Sequence, residues 1–130
     1  STFRLAGPLG QFSSVQDLQG KRIATSYQLL LEQHLAEPEF DVESFAAELN
    51  ITRVHLYRKL KALTDQTPTE FVRTLRLRRA AQLLAAQAGN VADVAYQVGF
   101  INLSYFSKCF RELYGHVPSE HAATVAAAAG

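Results

Sequence analysis

Part of this chain is written twice, and the repeat limits what the chain can fold into. Residues 42–68 read VESFAAELNITRVHLYRKLKALTDQTP, and residues 91–118 read VADVAYQVGFINLSYFSKCFRELYGHVP. Setting Val42 on Val91 places Phe45 on Val94, Ala46 on Ala95 and Leu49 on Val98. With one extra residue allowed in the second copy, Leu56 falls on Phe106, Arg58 on Lys108, Leu60 on Phe110, Lys61 on Arg111, Leu63 on Leu113 and Pro68 on Pro118. Apolar meets apolar and cation meets cation. A short helix, a tight turn and a longer helix with basic residues, repeated, is an arrangement by which one chain could occupy two segments of DNA groove.

The 130 residues allow one domain, or two very small ones that share a core. An apolar fraction of 48% suffices for that core. No apolar run approaches the ~18 residues of a membrane span. The N-terminus has no basic region followed by an apolar stretch, so no secretory signal is visible. The single cysteine, Cys109, cannot close an internal disulfide, which fits a reducing compartment. The expected location is cytoplasmic, with no membrane contact by this domain.

The net charge of +1 hides a polarity along the chain. From Ala24 to Asn50 the charged residues are Glu32, Glu37, Glu39, Asp41, Glu43 and Glu48. From Ile51 to Ala80 they are Arg53, Arg58, Lys59, Lys61, Arg73, Arg76, Arg78 and Arg79 against Asp65 and Glu70. Local segregation of sign is what a phosphate contact needs, although a solvated helix face produces it equally well.

Residues 1–23 have weak periodicity and read as a linker or tail, folding back in part through Phe3, Leu5, Phe12 and Leu18. From Ala24, the positions of Tyr27, Leu30, Leu31, His34 and Leu35 predict a helix ended by Pro38. Asp41 is placed to cap a short second helix, with Val42, Phe45, Ala46 and Leu49 inward. Thr52 is placed to cap a third helix running to about Thr64, with Leu56, Leu60 and Leu63 inward. Thr67-Pro68-Thr69-Glu70 starts a fourth and longest helix, expected over 68–87, with a stop at Gly89-Asn90. Its apolar side offers Phe71, Leu75, Ala80, Leu83 and Leu84. Asn90 caps a fifth helix with Val91, Val94, Ala95 and Val98 inward, and Gly99 makes the turn. Asn102 caps a sixth with the stripe Tyr105, Phe106, Cys109, Phe110 and Leu113. Gly115 ends it, Pro118 starts a short last helix, and the Ala-rich tail 123–130 is expected to fray. No strand is predicted. The fold class is all-α, a seven-helix domain over 24–122: a first helix-turn-helix unit at about 24–66, the linker helix, and a second unit at about 90–122.

In a helix-turn-helix the second helix lies in the major groove. The third helix leaves Arg53, Val54, Tyr57, Arg58 and Lys61 outward. Arginine can pair with O6 and N7 of guanine, whereas Lys61 and Arg53 suit phosphates. The sixth helix offers Asn102, Leu103, Ser104, Ser107, Lys108 and Arg111, with Leu103 suited to a thymine methyl. The first face is the more basic, so it is expected to carry more base-specific energy. These groups could equally be ordinary surface cations. Tyr105 is expected to pack. If the long helix is rigid, the two reading helices could sit about one DNA turn apart, roughly 34 Å. Arg73, Arg76, Arg78 and Arg79 could touch the DNA backbone between the grooves or pair with the acidic first helix, the second being favoured for some of them.

His34, His55, His116 and His121 have no metal-ligand spacing, and Cys109 reads as a small core residue. No phosphate-cradling glycine loop and no nucleophile-base set is present, so no catalytic residue, metal or cofactor is expected, and the chain does not read as an enzyme.

The runs LNITRVHLYRKLKALTDQTPTEFVRTLRLRRAAQLL and VADVAYQVGFINLSYFSKCFRELYGHVP resemble the DNA-binding domain of the AraC/XylS family of bacterial transcription regulators. The resemblance covers about 26–122. It rests on Val94-Ala95, Val98-Gly99-Phe100, Tyr105-Phe106-Ser107-Lys108, Phe110, Gly115 and Pro118. It implies two helix-turn-helix units on a long helix, and a sequence-specific regulator of promoters, usually an activator. By position, Arg53, Val54, Tyr57 and Arg58 would form one reading set, and Leu103, Ser104, Ser107 and Lys108 the other. Asp65 stands where the family has Gly, and His121 replaces an aromatic residue after the final Pro. The phrase LYRKLKALT is similar to the C-terminal version in response regulators and hybrid sensor kinases, which implies a receiver or sensor domain elsewhere. The implied partners are double-stranded DNA and RNA polymerase. The alternative is a protein-interaction module that docks the polymerase or a partner regulator.

Overall fold

The computed structural model describes residues 15–129, with side chains from 20 to 128. Among them are seven α-helices and no strand: α1 Val15–Glu32, α2 Val42–Glu48, α3 Arg53–Thr64, α4 Pro68–Ala85, α5 Val91–Gln97, α6 Leu103–Tyr114 and α7 His121–Ala129. A 3₁₀ turn at Pro118–Glu120 leads into α7.

Each helix from α2 to α6 starts where a polar side chain satisfies an otherwise orphaned N–H. Asp41 accepts from the Ser44 amide at 2.9 Å, Thr52 from His55 at 3.0 Å and Asn102 from Tyr105 at 2.8 Å. Thr67 with Glu70, and Asn90 with Asp93, close reciprocal capping boxes. Hydrogen bonds from Ser44 hold the Asp41 carboxyl below the usual range, and those from Thr67 do the same for Glu70.

The turns of the two units are closed in one way. The Ile51 amide reaches back to the Ala46 carbonyl at 3.1 Å, and the Phe100 amide to the Ala95 carbonyl at 2.9 Å. Asn50 and Gly99 between them take positive φ, 58° and 94°. This is the bonding of a Schellman C-terminus. The caps then differ by one residue, Thr52 against Asn102, so the extra residue of the second copy is Ile101.

Two cores lie along one spine. The first gathers Leu31, Phe45, Leu56 and Leu60 around Phe71, Val72 and Leu75 of α4. The second gathers Val94, Val98, Phe106 and Phe110 around Leu77, Ala80, Ala81 and Leu84. Arg76 stands on α4 at the junction and is itself buried. Its Nη1 donates to the carbonyls of Leu35 and Val98 at 2.7 and 2.8 Å, and its Nη2 to those of Glu37 and Phe40 at 3.1 and 3.2 Å. One guanidinium thus satisfies backbone of the loop after α1 and of the turn after α5, binding both units to the spine. Burial pushes its pKa down, and the nearby Glu37 and Glu39 oppose that shift; an arginine starts so high that it stays charged. A side chain at Gly99 would overlap the Arg76 guanidinium and the Leu35 carbonyl, so this turn needs glycine for room as well as for φ.

Several expectations change. The first helix begins at Val15, not Ala24, so the linker reading of 1–23 overlaps it; residues 1–14, with Phe3, Leu5 and Phe12, and the Leu18 side chain lie outside the description. Tertiary packing extends this helix: Ile23 joins the first core, and Gly20 lies so close to Leu63 that a Cβ there would meet it at 3.0 Å. The linker helix stops at Ala85, because Gln87 takes φ 56° before Gly89 is reached. The Ala-rich tail is helical through Ala129, as alanine's propensity favours. The arginines of α4 form no ion pair with the acidic helices among the described residues: Arg76 takes carbonyls of the acidic loop, Arg79 bonds Gln82 and Arg73 bonds Tyr105. Asp65 ends α3 as Gly115 ends α6, both left-handed. His121 fills the aromatic place: it is buried, edge-on to Phe110 at 5.2 Å, and bonded to His116 at 2.7 Å.

Candidate nucleic-acid interface

Burying Leu56 and Leu60 fixes the rotation of α3 and turns Arg53, Val54, Tyr57, Arg58 and Lys61 to the surface. Arg58 forms no hydrogen bond or ion pair among the described residues, so all its donors remain available. Arg53 is shared with Glu43 of α2 at 3.4 Å, and Lys61 with the Asp65 carbonyl at 3.3 Å. These bonds are solvent-exposed, and a phosphate could replace them at little cost. The groove beside this face, about 820 Å³, runs from Arg53 and Arg58 to Thr67 and Thr69 at the start of α4.

Burying Phe106, Cys109 and Phe110 does the same for α6. Asn102, Leu103, Ser104, Lys108 and Arg111 are exposed, and Ser107 is half-buried. The Asn102 carbonyl oxygen is taken by its capping bond, which leaves the amide NH₂ to act. Tyr105 and Leu113, expected inward, are both exposed. The Tyr105 ring leans on Phe100 at 6.2 Å, and its hydroxyl accepts from Arg73 Nη1 at 3.4 Å.

A second groove, about 330 Å³, lies between the units and is lined by Arg73, Ile101, Asn102 and Tyr105. Both grooves include Val42 and Thr69, so the groove beside α3 adjoins the one that reaches Asn102 at the start of α6. Four of the nine large exposed apolar residues among the described positions line these two grooves: Val54, Tyr57, Ile101 and Tyr105. Ile101 is 78% exposed and Val54 60%. Apolar side chains gathered on a basic surface mark a place that something covers. Arg73, Ile101 and Tyr105 were not in the reading sets drawn from sequence. The gap in the repeat alignment marks Ile101, and the spacing of Thr69, Arg73 and Arg76 along one side of α4 marks Arg73.

No group of three or more potential metal ligands occurs among the described residues, and Cys109 is buried. No helix among them is long and apolar enough to cross a membrane.

The helix-turn-helix domain family matches residues 45–124, from α2 into α7. The chain belongs to the AraC family of such domains. Its AraC-type fold is also that of the DNA-binding domain of AdpA, a global transcriptional factor, solved in complex with a target DNA. The two are 29% identical with a TM-score of 0.71, over 80% of this chain and 93% of that one. Histidine kinase P4 of Formosa agariphila is 44% identical over 92 residues, 71% of this chain and 7% of the kinase. An ATP phosphoribosyltransferase of Kocuria rhizophila is 86% identical over 43 residues, 33% of this chain and 15% of the enzyme. The chain therefore spans a small part of either relative.

Proposed function

We propose that this chain reads double-stranded DNA by sequence, with α3 and α6 in successive major grooves, as part of a longer regulator that activates transcription. The observation that carries this reading is the groove beside α3 adjoining the groove that reaches the start of α6, across a spine whose midpoint Arg76 ties to both units. Arg58 is assigned to guanine, and Val54 and Leu103 to thymine methyls. Tyr57, Ser104, Ser107 and Asn102 add contacts to base edges or phosphates. Arg53, Lys61, Lys108 and Arg111 bind phosphates. Reading helices closer than a full turn of straight DNA, roughly 34 Å, require a bend at a cost of a few kcal/mol.

The likeness to a histidine kinase supports a sensor or receiver domain elsewhere in the protein; a cytoplasmic setting and RNA polymerase as the eventual partner belong to the same reading. The likeness to a phosphoribosyltransferase covers 15% of that enzyme; the chain is read as a binding domain rather than an enzyme because its matched family is one of helix-turn-helix domains. A protein-docking role has its own support in Leu29, Tyr96, Leu113 and Val125, exposed apolar residues outside the reading faces.

Selection from a random duplex library, followed by binding at several salt concentrations, separates the two. Two enriched blocks about one helical turn apart, with log affinity falling steeply with log salt, support the DNA reading. No binding to any duplex moves the assignment to protein docking. Arg58→Ala is expected to cost about 1–3 kcal/mol and relax base preference, while Lys61→Ala weakens all sequences alike. Equal losses on selected and scrambled duplexes for Arg58→Ala would remove it from the base-reading set.

A further inference from the structure

The surface between the reading helices carries a basic group that belongs to neither reading set. Arg73 sits on α4 three residues before Arg76 and lines the groove that leads to Asn102 and Tyr105. It has no ion pair among the described residues, and its Nη1 donates to the Tyr105 hydroxyl at 3.4 Å. Asp41, in the same groove, is committed to its cap with Ser44; Glu70, one turn away on α4, caps with Thr67, and its charge acts on Arg73 without forming an ion pair. Arg76 spends its terminal nitrogens on four carbonyls, so it lends the groove charge but few donors.

A guanidinium has five N–H donors in a planar fork, and Arg73 commits one of them. Tyr105 accepts that bond and keeps its own proton to donate, and accepting from a cation makes it a better donor. The pair therefore presents a charged fork and a polarised hydroxyl together, which matches the adjacent oxygens of a phosphate. On one side of a duplex, two successive major grooves are separated by a minor groove edged with phosphates. We infer that Arg73 and Tyr105 together hold one phosphodiester beside that intervening minor groove. The inference rests on the proposed DNA reading and adds a fixed point to it. Arg73 lies one turn from the residue that ties α4 to both units. A phosphate held there sets the register of both reading helices at once, and with it the allowed spacing of their two sites. Arg73 and Tyr105 are positioning residues for readout by α3 and α6.

The test uses the selected duplex, a scrambled duplex, and a series carrying one neutral methylphosphonate at each linkage between the two blocks. Wild type, Arg73→Ala, Arg73→Lys and Tyr105→Phe are titrated at several salt concentrations, with urea midpoints to confirm folding. Arg73→Ala is expected to bind both duplexes about tenfold more weakly and to lower the log–log salt slope by about one. Arg73→Lys keeps the slope and recovers part of the affinity. Tyr105→Phe loses a few-fold with the slope unchanged, because the lost donor is neutral. One methylphosphonate weakens wild type and leaves Arg73→Ala unaffected. If Arg73→Ala keeps both the wild-type slope and the wild-type response to every methylphosphonate, the pair is an internal latch and the inference fails alone. If wild type binds no duplex in a salt-dependent way, and Arg58→Ala is silent too, the DNA reading itself has failed.

Discussion

The two helix-turn-helix units share a scaffold and differ in what fills it. Phe45, Leu56 and Leu60 are fully buried in the first unit; Val94, Phe106 and Phe110 are fully buried at the matching places in the second. The aromatic bulk has moved from the short helix to the reading helix. In the second unit it forms a continuous row along α6, from Phe100 through Phe106 and Phe110 to Tyr114, closed by His121. In the first, the rings gather on α1, α2 and α4, with Tyr27 and Phe71 against Phe45, and α3 contributes only leucines. Volume is redistributed between facing positions while the stripe, turn and cap stay in place. A core tolerates such exchange when its total volume is kept. The surfaces diverge further: α3 carries Arg53, Arg58, Lys59 and Lys61, and α6 carries Lys108 and Arg111.

The comparison breaks most severely at the residue both units share. Arg76→Ala removes a donor from four carbonyls, of which only that of Glu37 keeps another, the Phe40 amide, and opens a void at the junction. The expected loss is about 3–5 kcal/mol, at the top of the range for single substitutions. The single urea transition should split in two, since each core retains its own half of α4. A single transition shifted by less than about 1 kcal/mol would show that α4 alone joins the units.

Truncating the matched core positions tests whether the units are energetically alike. Leu60→Ala is expected to cost about 2–5 kcal/mol and Phe110→Ala about 3–5, because the ring removes more buried surface. Phe110 also touches Tyr114, His116 and His121, so its loss should loosen α7. Faster amide exchange in α7 for Phe110→Ala, but not for Leu60→Ala, is the expected signature. Equal exchange in both variants would mean that α7 is held by α4 alone.

Only the second unit closes on a buried histidine. Burial and the neighbouring His116 hold the His121 pKa below its ordinary 6.5. A folded pKa below the unfolded one means that the unfolded chain binds more protons between the two values. Stability is therefore fully present above about pH 6.5 and falls as the pH drops from there through the folded pKa. His121→Phe, which keeps the ring contacts and removes the titration, should flatten the urea midpoint between pH 7.5 and 5.5. An unchanged pH dependence in that variant would exclude His121 as its source.

The scaffold was legible in the sequence because its signals are local. The caps at Asp41, Thr52, Thr67, Asn90 and Asn102 and the stripes of α2 to α6 depend on residues within a turn or two of each other. What escaped depends on tertiary contact. Val15–Ile23 has weak periodicity of its own, and its C-terminal part is held by packing against α3 and the first core. Arg76 read as one of four arginines that could touch the DNA backbone or pair with the acidic helix, and only the fold places carbonyls 22 to 41 residues away around its guanidinium. Tyr105 falls on the apolar side of an ideal helix wheel, yet it sits in the first turn, where the core ends and the groove begins. The reading sets were legible as outward faces; that the groove beside α3 adjoins the one reaching Asn102 required the path of α4.

The smallest expected difference lies at the ends of the two reading helices. Both end left-handed, Asp65 at φ 61° and Gly115 at φ 82°, and each amide bonds back to the fourth residue before it. A residue with a Cβ pays for that conformation, by about 1 kcal/mol, and aspartate suffers less than most because its short polar side chain tolerates it. Asp65 also places a negative charge at a helix C-terminus, against the dipole. Its exposed contact with Lys61, at 3.7 Å, returns little. Asp65→Gly removes both penalties and adds the entropy cost of glycine in the unfolded chain, so the expected gain is only about 0.5 kcal/mol. Gly115→Asp should lose a similar amount: nothing lies within 4 Å of a Cβ at Gly115, which leaves the backbone conformation and the charge as the cost. The two sites end different helices and share no partner, so their effects should add. A chain carrying both substitutions should therefore return to the wild-type urea midpoint. A double variant well below it would mean that the two helix ends are not equivalent, and that the similarity of the units stops at their caps.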